Sequence, residues 1–71
     1  MIRVSSPKIK EFVEMIDGKE IEGVLYRLVG KIIGIQAIFE TNAEDEEYAK
    51  DSLKVYLKQK YGYLKFYVEV I

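Results

Sequence analysis

Lysines at 50, 54 and 58, a further lysine at 65, and tyrosines at 63 and 67 are the side chains whose types and spacing bear most directly on chemistry. Lys50, Lys54 and Lys58 recur at i, i+4 and i+8, one row on a helix face, and with Lys65 they make a modest basic patch. Tyr63 and Tyr67 beside it supply flat faces on which unpaired bases stack. The set reads as a weak binder of single-stranded RNA. It also has an ordinary explanation, because lysines on the outer face of a helix keep a small protein in solution.

Catalysis is hard to assemble from the rest of the inventory. The chain contains no histidine and no cysteine. That removes the commonest general base, the thiolate nucleophile, disulfides and Cys/His zinc sites together. Ser5, Ser6 and Ser52 have no evident activating partner, and Ser5 and Ser6 precede Pro7, where helix capping explains them. The run Glu44, Asp45, Glu46, Glu47 has the composition of a cation site. Successive helical residues point about 100° apart, however, and do not converge on one ion. The run fits a solvated helix start that complements the dipole. Gly30-Lys31 lacks the glycine-rich frame of a phosphate loop. The expectation is therefore a protein without enzymatic activity, cofactor or metal.

At 71 residues, 49% hydrophobic, 32% charged and with a net charge of −1, the chain reads as one small globular domain. A charge this close to zero leaves no electrostatic footprint for duplex DNA or an anionic membrane. No apolar run approaches the roughly 20 residues of a bilayer span, and no signal peptide precedes the first element, so the expected compartment is the cytoplasm. Abundant Lys, Glu and Ile without Cys suits a thermophile, although an AT-rich genome gives the same bias. A chain of this size buries only about 60% of its unfolded surface. With disulfides and metals gone, self-association is the remaining route to extra stability.

Five punctuation points divide the chain, at "SSP", "DGK", "GK", "TNA" and "YGY". Ile2 and Val4 alternate around Arg3 as a short strand. Ser6 and Pro7 then start a helix whose stripe is Ile9, Phe12, Val13 and Ile16, with Gly18 as its stop. Residues 20–40 read as one hairpin on a type II′ turn at Gly30-Lys31. That turn pairs Val29 with Ile32, Leu28 with Ile33, Tyr26 with Ile35 and Val24 with Ala37. One face then carries Val24, Tyr26, Leu28, Ile33, Ile35, Ala37 and Phe39. The other carries Leu25, Arg27, Val29, Ile32, Gly34, Gln36 and Ile38. A second helix runs from about Ala43 to Lys60, capped by Asn42 or Thr41, with Ala49, Leu53, Tyr56 and Leu57 as its buried stripe. Gly62 ends it, and "YLKFYVEV" alternates with Leu64, Phe66, Val68 and Val70 on one side.

The order strand, helix, strand, strand, helix, strand predicts an α+β fold, the ferredoxin-like plait (split βαβ), with an antiparallel sheet and two helices on one face. If the short first strand fails, an α-β-β-α-β arrangement on three strands remains. Some plait domains bind RNA through aromatics on their central strands. The fragment "KYGYLKFYV" is superficially similar to the RNA-recognition motif: Gly62-Tyr63 fits that pattern, while Leu64 replaces its small residue and the strand position differs. The uncovered sheet face is expected to show Leu25, Val29, Ile32, Ile38, Tyr63 and Tyr67, with Arg3, Arg27, Gln36 and Lys65 as polar members. An apolar patch rimmed by polar groups marks an interaction site. The leading expectation is a self-associating protein-interaction module, a homodimer through this face. Weak RNA binding and a small-ligand site between two dimer faces are the alternatives.

Overall fold

Ile2 and Val4 alternate with Arg3, and that period of two makes the first element a strand. In the computed structural model, which describes residues 1–71, the elements are β1 (Ile2–Ser5), α1 (Ile9–Ile16), β2 (Glu20–Ile21), β3 (Val24–Ile33), β4 (Gln36–Thr41), α2 (Glu46–Tyr61) and β5 (Tyr67–Val70). The five strands form an antiparallel sheet in the order β2-β3-β4-β1-β5, curled into a half-barrel. This α+β arrangement overturns both predicted architectures, the four-stranded ferredoxin-like plait and the α-β-β-α-β form on three strands. β1, although only four residues long, lies inside the sheet between β4 and β5.

The added strand has a local cause. Glu22 (φ 51°) and Gly23 (φ 80°) both take positive φ, which is the requirement of a type I′ turn. That turn pairs Ile21 with Val24. Residues 20–40 therefore make three strands where the hairpin reading has two.

The main hairpin also turns at a different glycine. Gly34 (φ 62°) and Ile35 form its two-residue loop, with Ile33 opposite Gln36. Gly30 (φ 71°) instead lies within β3, where the register shifts from Val29↔Ile38 to Ile33↔Gln36. Such a bulge bends its strand and raises the local twist, which contributes to the curl. Val29 thus pairs with Ile38 rather than Ile32, and Leu28 with Phe39 rather than Ile33. Because the slip is an even number of residues, Val24, Tyr26, Leu28, Ala37 and Phe39 stay on the inner face. Ile33 and Ile35, expected inward, are 75% and 52% exposed. Ile32, expected outward, packs against the core.

Both helices lie on the inner face. Ile9, Phe12 and Ile16 of α1 and Ala49, Leu53 and Leu57 of α2 join Ile2, Val4, Val24, Tyr26, Ala37 and Phe39 in one buried cluster. α2 touches both edge strands, β2 and β5, as well as β1, as a helix can when the sheet curls around it. Leu64, Phe66, Val68 and Val70 pack half-buried against the same cluster. No helix is long and apolar enough to cross a membrane.

The helix starts differ in detail from the sequence reading. Ser6 Oγ accepts the Lys8 N–H at 3.1 Å, but the regular helix begins only at Ile9. α2 is capped by Asp45, whose Oδ1 accepts the N–H groups of Glu47 and Tyr48 at 3.0 and 3.3 Å. Asn42, the expected cap, instead accepts the Leu25 N–H at 2.9 Å. Thr41 accepts the Ala43 N–H at 3.3 Å, ahead of the helix.

Candidate functional site

Strand alternation sets the outer face of the sheet row by row. Arg27 stands opposite Glu40. The next row runs Val29, Ile38, Arg3, Glu69, and the last runs Ile33, Gln36, Ser5, Tyr67. Arg3 holds Glu69 through Nε at 3.1 Å and a terminal guanidinium nitrogen at 3.0 Å. The hydrogen bond and charge of Glu69 raise the Arg3 pKa. The hydrogen bond from Arg3 holds the Glu69 carboxyl below the usual carboxylate range. The apolar members gather at the hairpin end, where the Gly30 bulge, Val29, Ile33, Gln36 and Ile38 enclose a cleft of about 190 Å³.

The structure divides the ten residues expected on the open face, of which Arg3 stands in the outer row between Ile38 and Glu69. Leu25, Arg27, Val29, Gln36 and Ile38 belong to the outer face by register. Ile32 does not, because β3 runs on past Gly30 to the turn at Gly34 and alternation then sets Ile32 inward against the core. Tyr63 and Lys65 lie on the connection between α2 and β5, outside the strands. Tyr67 stands at the corner of the face, opposite Ser5. Ile33 is a surface residue that the turn at Gly30 hides; Gly34, an equally good first residue for a type II′ turn, is the signal for it.

A second site forms where the C-terminal half of α2 meets the segment entering β5. Lys54, Lys58, Lys65 and Tyr67 come together there with Gly62, Leu64 and Phe66 around a cleft of about 290 Å³. Lys50, expected in the same row, does not line it. Its Nζ pairs with Glu47 at 2.9 Å and Asp51 at 3.5 Å, and its pKa is raised chiefly by the Glu47 hydrogen bond. Local bonds fix the lysine-bearing loop. Ser6, 1% exposed, donates its hydroxyl to the Lys65 carbonyl at 2.8 Å, and the Leu64 N–H bonds the Tyr61 carbonyl at 2.9 Å.

Elsewhere the chemistry is sparse. Ser5 and Ser6 are buried, and Ser6 is committed to the bonds just described. Ser52 borders an open depression of about 400 Å³ with Glu22, Tyr48, Asp51, Val55, Tyr56 and Gln59. No three acidic groups converge where they could hold a metal ion. The one strongly displaced titration belongs to the core: burial pushes the Tyr26 phenol up to about 12, with a smaller contribution from Tyr48. Comparisons of the chain with protein-family models, with curated proteins and with solved structures found no match.

Proposed function

We propose that the chain is a non-enzymatic self-association module, two copies of which meet through the outer sheet face at its hairpin end. The observation that carries this reading is the group Val29, Ile33 and Ile38 around the cleft beside the bulge, with Ile33 75% exposed. Apolar groups left open in this way, rimmed by polar residues, favour interaction surfaces.

The charge pattern favours a second copy as the occupant. Arg27 opposite Glu40 and Arg3 opposite Glu69 present both signs in adjacent rows. A two-fold axis sets such a patch against itself, and a patch that carries both signs meets its own copy without the repulsion that a single-sign patch has. The small core supplies the thermodynamic motive. Only 15 of 71 residues are buried, and covering further apolar surface contributes roughly 25 cal/mol per Å².

Light scattering coupled to size exclusion, at high micromolar concentration, is expected to give twice the 8.3 kDa chain mass. A monomer at that concentration overturns the reading. Ile38→Lys, placed between Val29 and Arg3, is expected to give a monomer whose circular dichroism is unchanged.

A further inference from the structure

We infer that the cleft between the C-terminal half of α2 and the entry to β5 binds single-stranded nucleic acid, with phosphates on Lys54, Lys58 and Lys65 and a base on Tyr67. Its lysines lie on α2 and on the connection to β5, off the proposed self-association patch, while Tyr67 shares the last outer row with Gln36 and Ile33.

Charge is the first support. The chain carries a net charge of −1, yet the residues lining this cleft include three lysines and no carboxylate. None of the three enters an ion pair. The carboxylates that do form ion pairs are taken by Arg3, Lys50 and the amino terminus. Lys50, one turn further up the same row, is neutralised, so the free positive charge is confined to the cleft end of the helix.

Geometry is the second. Lys54 and Lys58 are four residues apart, about 6 Å along the helix axis, a spacing that suits neighbouring phosphates of an extended strand. Lys65 faces them from a loop whose carbonyl is tied down by the buried Ser6 hydroxyl. The backbone that carries the third charge is therefore held before any ligand arrives, which lowers the ordering cost of binding.

The exposed rings select among anions. Tyr67 is 73% exposed at the cleft wall, and Tyr63, 80% exposed, precedes Lys65 by two residues. Every base has a flat face that stacks on such a ring. An acidic peptide offers carboxylates to the lysines but nothing planar to the tyrosines. Three cations on one edge also make too small a footprint for a duplex, whose binding relies on many phosphate contacts.

The test is fluorescence anisotropy with short labelled oligouridine and oligothymidine at low salt, with a polyglutamate peptide as competitor. Both oligonucleotides are expected to bind, with a log–log salt slope of about −2, as three phosphate contacts on a single strand imply. Preference for one of the two identifies RNA or DNA as the natural ligand within the same inference. The Lys54→Gln/Lys58→Gln double variant is expected to flatten the slope to about −0.7, as one remaining contact implies. Tyr67→Ala is expected to weaken binding about 5- to 150-fold at an unchanged slope. Lys50→Gln is the control and should bind like the wild type. No anisotropy change, displacement by polyglutamate at equal charge concentration, or an equal loss in Lys50→Gln would each overturn the site. Circular dichroism and thermal melting of every variant separate lost binding from lost folding.

Discussion

The phenolic hydroxyl of Tyr26 donates a 2.7 Å hydrogen bond to the Ala49 carbonyl, joining β3 to the first turn of α2 inside the core. Tyr26 is fully buried, and a buried hydroxyl without a partner is costly. Here the partner comes from α2, so the contact ties that helix to β3. Tyr26→Phe keeps the ring and removes the bond. It is expected to lower unfolding free energy by about 1–2 kcal/mol in urea titrations.

The same residue gives the fold a pH limit. Its pKa rises from 10.0 to about 12 on folding, so between those values the unfolded chain binds fewer protons than the native one. Stability is then complete below the unfolded pKa of 10.0 and falls as pH rises toward about 12. Other tyrosines and lysines titrate in the same window, so the measurement is the difference between wild type and Tyr26→Phe. The two stability curves should converge as pH rises, and parallel curves would refute the assignment.

Capping is a place where one side chain decides between two readings. Asp45 accepts two helix N–H groups, and Asn42 accepts none from α2. Asp45→Ala should cost about 1 kcal/mol through loss of the cap. Asn42→Ala removes an exposed bond to Leu25 and should cost less. Chemical denaturation of the two variants side by side checks the ranking.

Gly30 and Gly34 both hold positive φ, at 71° and 62°, with open space where a Cβ would point. Substitution by alanine is therefore opposed by backbone conformation alone. Each is expected to destabilise the fold by about 1–2 kcal/mol. Gly34→Ala loosens the turn, so it should also speed amide exchange at Ile33 and Gln36, the closing pair. If exchange accelerates instead between Val29 and Ile32, the turn lies at Gly30.

Much of the inner face is legible in the chain because apolar periodicity survives errors of register. A turn placed at Gly30 puts Val24, Tyr26, Leu28, Ala37 and Phe39 inward, and the true turn at Gly34 keeps them there. The slip is even, and sheet faces repeat every two residues. The differences lie between the two candidate turns. Ile32, Ile33 and Ile35 change environment because β3 continues through Gly30, which puts Ile32 inward, Ile33 outward and Ile35 in the turn. Glu22-Gly23 is hard to recognise as a turn because the strand it releases, β2, is two residues long and too short to show a period.

The candidate sites divide in the same way. The sequence by itself determined the inventory: no histidine, no cysteine, a lysine row on one helix face and two tyrosines near the end of the chain. It also determined which side of each long element meets the core, since that follows from local period and burial of apolar surface. Tertiary structure alone decided which of those residues meet. Lys65 faces Lys54 and Lys58 because Ser6, fifty-nine positions earlier, holds its carbonyl. Lys50 drops out because Glu47 and Asp51 reach it first. Such pairings depend on distances across the fold, and no local pattern in the chain encodes them.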